Sequence, residues 1–200
     1  MSPPSAAPKL RSLCVFCGSQ AGFDPVYVTA ATTLGLALAA HGTDLVFGGG
    51  RVGLMGALAD AVLTGGGKII GVIPGFLKDK ELAHPGATEM LVVPDMHSRK
   101  KLMFERSDAF CILPGGMGTL DEMFEIVTWR QLRLHDKPII LVNVANYWAD
   151  MITLLDGMVR TGFAYSGRHA LITVVDQVEA VIGAAEAELK APKAPDLFKV

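Results

Sequence analysis

Short apolar runs alternate along this chain with longer stretches of helical spacing. The runs are Ser12–Cys17, Asp44–Phe47, Lys68–Ile73, Thr88–Val93, Ala109–Leu113, Pro138–Val144 and Ala170–Val175. Each is brief, β-branched or aromatic, and nearly continuous in apolarity, as a strand buried on both faces should be. Between them, Val26, Ala30, Leu34 and Leu38 form a helical stripe, and Leu120, Phe124 and Val127 form another. This alternation predicts an α/β fold: a Rossmann-like three-layer sandwich with a mostly parallel central sheet. Right-handed crossovers would bring every strand-to-helix turn to one edge of that sheet, where ligands bind. A single domain is expected over residues 10–190, with loose tails at 1–9 and 191–200, where Pro, Ala, Ser and Lys mix without periodicity.

Composition narrows the function classes. With 50% hydrophobic and 19% charged residues, the 200-residue chain is not intrinsically disordered. Its 18 basic and 20 acidic residues give a net charge of −2, so neither nucleic acid nor an anionic membrane is an expected partner. Three cysteines make no disulfide framework and fit a reducing compartment. Cys14 and Cys17 have C-x-x-C spacing, but on a predicted buried strand; Cys111 lies on another, and no H-x-x-x-H spacing occurs. No metal is expected. His41, His84, His135 and His169 are isolated, which suits structural or solvent-facing roles. The opening residues lack the pattern of a secretory signal, and the longest uncharged stretch, Pro25–Thr43, is too polar to span a membrane. The expected location is the cytoplasm.

Two glycine-rich turns follow predicted strands. The first, Gly48-Gly49-Gly50-Arg51-Val52-Gly53, has the G-x-G-x-x-G form of a dinucleotide fingerprint. The acidic residue that should hold a ribose about 20 residues later is missing, since Gly71-Val72-Ile73-Pro74 stands there. NAD or FAD is therefore not expected, nor any other cofactor. The glycines either let main chain approach an anion or simply permit a tight turn and close helix packing. A G-x-S-x-G elbow is absent, which removes the usual α/β-hydrolase mechanism.

The second turn is Pro114-Gly115-Gly116-Met117-Gly118-Thr119-Leu120-Asp121-Glu122. Its glycines expose backbone N–H groups, Thr119 adds a hydroxyl, and the following helix dipole favours a phosphate. Glu122 has two readings. It is either a functional carboxylate or the far end of a Thr119–Glu122 capping box. A third segment opens at Pro94-Asp95 and carries His97, Arg99, Lys100 and Lys101 in its first turns. Cations there oppose the helix dipole, and a local rule broken without compensation marks function. A solvated charged face accounts for Lys101. Arg99 belongs beside the same sheet edge as both glycine turns.

Together, Val46-Phe-Gly-Gly-Gly50, Gly53-Leu-Met-Gly56, Met96-His-Ser-Arg-Lys100 and Pro114-Gly-Gly-Met-Gly-Thr-Leu-Asp-Glu122 resemble the LONELY GUY (LOG) family. The resemblance extends over roughly residues 10–185, including Cys14-Val-Phe-Cys-Gly-Ser19 and His135-Asp-Lys-Pro138. Members are cytokinin riboside 5'-monophosphate phosphoribohydrolases, often labelled lysine decarboxylases, a name these motifs do not support. The resemblance implies hydrolysis of the N-glycosidic bond of an N6-substituted AMP, releasing base and ribose 5-phosphate. It assigns catalysis to Arg99 and Glu122, and substrate contacts to Glu81, Lys100, Gly115, Gly116, Met117, Gly118, Thr119, Leu120, Asp121 and Thr128. Gly18, Ser19, Gly49 and Gly50 are candidates for further phosphate or base contacts. Two positions depart from the family pattern: Asp121, where glutamate is common, and Arg51, where a small residue is common. A homodimer or larger homo-oligomer is also implied.

Such a reaction needs an oxocarbenium-like ribose to be stabilised and the base to leave easily. A phosphate held by Gly115, Gly116, Gly118 and Thr119 would bring C1' near Glu122, about one ribose length away. Arg99 would pair with Glu122, or contact the ribose or the base. The rival reading is a non-catalytic nucleotide or cofactor carrier of the same fold.

Overall fold

The computed structural model describes residues 9–78, 82–164 and 171–191. Among these residues, seven strands form one sheet: β1 (Ser12–Phe16), β2 (Asp44–Phe47), β3 (Ile69–Pro74), β4 (Glu89–Val93), β5 (Ala109–Ile112), β6 (Ile139–Val142) and β7 (Thr173–Val175). Their order is β4-β3-β2-β1-β5-β6-β7, and every neighbouring pair is parallel. The sheet is thus wholly parallel rather than mostly so, as its unbroken apolar strands require. Six of the expected strands lie within two residues of the observed ones. The seventh is shorter, and its expected first residue, Ala170, falls outside the described residues.

The helices are α1 (Pro25–His41), α2 (Gly53–Thr64), α3 (Gly75–Lys78), α4 (Met96–Glu105), α5 (Met117–Gln131), α6 (Ala149–Arg160) and α7 (Val181–Lys190). Alternation along the strands divides the core into two layers. Leu13, Val15, Leu45, Phe47, Cys111 and Val142 pack beneath α1, α2 and α7. Cys14, Phe16, Val46, Val72, Phe110 and Leu141 pack beneath α4, α5 and α6. All three cysteines are free and buried, and burial pushes their thiols well above the ordinary range. No helix of the described residues is long and apolar enough to cross a membrane.

Local signals start and stop these helices. Asp24 accepts the Val26 N–H at 2.9 Å, Pro25 occupies the first turn, and Gly42 closes α1 in the left-handed conformation at φ 75°. At α4, Asp95 accepts the Ser98 N–H at 2.7 Å. Those hydrogen bonds hold the Asp95 carboxyl below its usual range. A negative cap therefore offsets the dipole conflict created by the cations of this helix.

The winding positions the site. The chain moves outward from β1 through β2, β3 and β4, then α4 returns it to β5 on the other side of β1. Strand order reverses at β1, which opens a crevice at the carboxyl ends. Both glycine-rich turns and the start of α4 belong to that edge.

Candidate active site

Arg99 and Glu122 meet in this crevice. Arg99 lies in the first turn of α4, and its Nε donates to the Val72 carbonyl of β3 at 3.1 Å. Its Nη1 reaches Glu122 Oε1 at 3.0 Å, and both side chains are buried. The guanidinium passes directly over Gly48, where a methyl group would collide with Nη2. Only glycine leaves that space free.

Glu122 does not cap its helix. The capping-box reading required the helix to begin after Thr119, but α5 starts at Met117, with Gly116 as its N-cap. The helix thus starts three residues before the capping box would place it. Glu122 is therefore the sixth residue of α5, in its second turn rather than its first, and points at Arg99. Burial raises the Glu122 carboxyl to about 7, against the opposing pull of Arg99, and Asp121 adds to the rise. A carboxyl group poised near neutrality in a cleft is suited to proton transfer.

The turn before α5 is tightly built on one side and open on the other. A methyl group on Gly115 would strike the Thr119 side chain, and the Gly18 N–H donates to the Pro114 carbonyl at 3.0 Å. Gly116 and Gly118 face open space, and no side chain caps the helix. Helix geometry leaves the first-turn N–H groups without carbonyl partners inside the helix, at the positive end of its dipole.

A cleft of about 320 Å³ joins these parts. Its polar end is Arg99, Glu122, Thr119 and the Gly116–Gly118 segment, with Ser19 and Gly50 alongside. Its other walls are apolar: Val15, Val52, Met55, Ile73, Leu77 and Leu82. Gly48 and Cys17 also line it. Sequence reasoning missed Gly48, although it opens the glycine triplet, and it missed the apolar walls, which look like ordinary core positions.

Other expected contacts lie elsewhere. Lys100 is held between Asp121 and Glu125, at 3.1 and 3.2 Å, beside the cleft rather than in its lining. Leu120 packs into the core beneath α5, and Thr128 is exposed on α5. Gly18 and Gly49 serve the backbone: Leu54 N–H donates to Gly18 O at 3.0 Å, and His84 N–H donates to Gly49 O at 2.8 Å. Glu81 lies outside the described residues. Arg51 is exposed and flanked by two cleft residues, Gly50 and Val52. Lys101 is also exposed and faces Glu105 at 3.8 Å, as a solvated face would.

Residues 55–185 match the family model described as possible lysine decarboxylase. The chain is 44% identical over 174 residues to the cytokinin riboside 5'-monophosphate phosphoribohydrolase LOG1 of Arabidopsis thaliana, a match covering 86% of this chain and 82% of that one. The chain belongs to the LOG family. A second LOG relative, the cytokinin riboside 5'-monophosphate phosphoribohydrolase of Rhodococcoides fascians, is 43% identical over 180 residues, covering 90% and 91%. The molybdenum cofactor carrier protein of Chlamydomonas reinhardtii shares the fold, with a TM-score of 0.69 at 22% identity over 92% of this chain and 100% of that one.

The described lining of the cleft lends the decarboxylase label no support. Among the described residues no lysine lines it. Although burial lowers the Lys100 ammonium, its bonds to Asp121 and Glu125 leave it above the ordinary value. A Schiff-base lysine requires the opposite shift.

Proposed function

We propose that this LOG-family N-glycosidase hydrolyses the N-glycosidic bond of N6-substituted AMP, and of AMP itself, to free base and ribose 5-phosphate. The observation that carries the proposal is the buried Arg99–Glu122 pair, 3.0 Å apart, beside the uncapped start of α5. The 5'-phosphate sits against the first-turn amides of α5, and that remote binding energy orients the sugar. Four residues of helix rise roughly 6 Å, about the length of a ribose, so a sugar anchored near Gly118 has C1' beside Glu122. As the C1'–N9 bond breaks, positive charge grows on the ribose and the ionised Glu122 stabilises it. Water then adds its oxygen to C1', Glu122 takes the water's proton, and the bond's electron pair leaves with the base, whose nitrogen takes a proton from solvent. Arg99 favours the ionised form of Glu122 through their ion pair, against the effect of burial. The apolar walls of Val52, Met55, Ile73, Leu77 and Leu82 suit a hydrocarbon substituent on the base. We expect the enzyme to act as a homodimer or larger homo-oligomer.

Incubation with N6-isopentenyl-AMP, AMP and N6-isopentenyl-adenosine, followed by chromatography, tests this reading. Free base should come from the nucleotides, and poorly from the riboside, which lacks the phosphate anchor. Glu122→Gln should lower kcat by about 10²–10⁴-fold, the usual worth of a positioned acid–base group. Tight nucleotide binding without product would make the protein a carrier instead. Equal rates on AMP and its prenylated form would make it a general purine-nucleotide hydrolase.

A further inference from the structure

We infer that Tyr147 is a positioning residue for phosphate recognition, acting through the Gly115–Gly116 peptide. This inference rests on the nucleotide-hydrolase reading above. Tyr147 lies between β6 and α6, outside every motif of the site, and its hydroxyl donates to the Gly115 carbonyl at 2.7 Å. A trans peptide holds its C=O and the next N–H in opposite directions. Anchoring the Gly115 carbonyl to Tyr147 therefore turns the Gly116 N–H away from Tyr147, and Gly116 lines the cleft. With glycine on both sides, this peptide flips at little steric cost, so its orientation needs an outside restraint. The Tyr147 hydroxyl supplies it.

The surroundings hold the tyrosine itself in place. Its ring packs edge-on against Tyr27, 5.6 Å away, and Trp148, 4.7 Å away. Tyr27 belongs to the first turn of α1, so one aromatic cluster braces three neighbouring edge loops. The turn leading to Tyr147 is strained: Ala145 and Asn146 both adopt left-handed backbone, at φ 49° and 60°. Asn143 pins that turn, its Oδ1 accepting the Trp148 N–H at 2.8 Å while its own N–H donates to the Val175 carbonyl at 2.8 Å. Strain held by such over-determined contacts accompanies functional positioning. The consequence is specific. Loss of the hydroxyl weakens recognition of the phosphate, not of the base.

Tyr147→Phe keeps the ring and removes only the hydrogen bond. Calorimetry with ribose 5-phosphate, together with kcat and KM for N6-isopentenyl-AMP and for its riboside, reads the effect. The Kd of ribose 5-phosphate and the KM of the nucleotide should rise about three- to tenfold, the scale of one hydrogen bond. The kcat of the nucleotide and kcat/KM of the riboside should stay within about twofold, below the scale of that bond. An unchanged Kd, or equal losses on nucleotide and riboside, would overturn the assignment. If the wild type binds ribose 5-phosphate but releases no base, the hydrolase reading fails while the Kd ratio still decides Tyr147. A wild type that neither binds nor cleaves ends both.

Discussion

The two glycine-rich turns look interchangeable on paper, yet the molecule uses them for opposite purposes. At Gly48–Gly53 the backbone is already engaged. Gly49 O accepts from His84, the Arg51 N–H donates to Leu82 O at 3.0 Å, Gly50 bridges to Ala83, and Leu54 N–H is taken by Gly18 O. Gly48 exists to let the Arg99 guanidinium pass. Of the glycines at Gly115–Thr119 only Gly115 is packed, while Gly116 and Gly118 remain open at an uncapped helix start. One turn makes room for a side chain and the other offers main-chain amides. Glycine spacing cannot distinguish these uses, because both need an absent Cβ; the neighbours decide.

Breaking the first turn should have the largest effect. Gly48→Ala displaces Arg99 from Glu122, and misplacement of about 1 Å costs on the order of 100-fold in rate. The loss should appear in kcat, with the Kd of ribose 5-phosphate nearly unchanged. Gly115→Ala should do the reverse, raising the KM of the nucleotide about tenfold by disturbing the amides, a change of about 1.4 kcal/mol. If Gly48→Ala weakened ribose 5-phosphate binding while Gly115→Ala left it intact, the two roles would have to be exchanged.

Acidity sharpens the same contrast. Glu122 must be ionised to stabilise the sugar cation and accept a proton, and its carboxyl titrates at about 7. The ratio kcat/KM should therefore fall about tenfold per pH unit below 7 and level off above it. A rate flat from pH 5 to 8 would separate the chemistry from Glu122. The last expected effect is on stability. The folded-state value of about 7 lies above the ordinary glutamate value of 4.5, so the folded protein holds this proton more tightly than the unfolded chain. Its contribution is most favourable below 4.5 and declines as pH rises to about 7, by about 3 kcal/mol at most. Between pH 5 and 8 the Tm of the wild type should fall relative to that of Glu122→Gln by several degrees; parallel Tm profiles would contradict it.

Much of the architecture was legible in the chain. Continuous apolar runs located the strands, since a strand covered on both faces has no polar side to show. Arg99 and Glu122 were marked by sequence, one as a cation at the wrong end of a helix and the other by the glycine turn before it. Their partnership was only one of three options, and the fold decided it by bringing α4 and α5 together across β5. The helix start misled for a local reason: Thr119-x-x-Glu122 fits a capping box, but the helix begins three residues earlier, at Met117, with Gly116 as its cap. Lys100 looked like a ligand contact from its motif, and in the fold its ammonium is shared by Asp121 and Glu125. Tyr147 carried no motif at all. The paired Asn143 and Asn146 around it were the available hint, since asparagine tolerates left-handed backbone and turns.

Local chemistry, written residue by residue, was sufficient for the parallel sheet, the edge that carries the site, and the types of group that gather there. Those properties depend on periodicity, glycine and charge over a few consecutive positions. Which glycine turn stays open, which carboxylate is desolvated, and which hydroxyl restrains the Gly115–Gly116 peptide were settled only by folding. Each depends on atoms that are remote along the chain and adjacent in space, and burial and close packing exist only once those atoms have met.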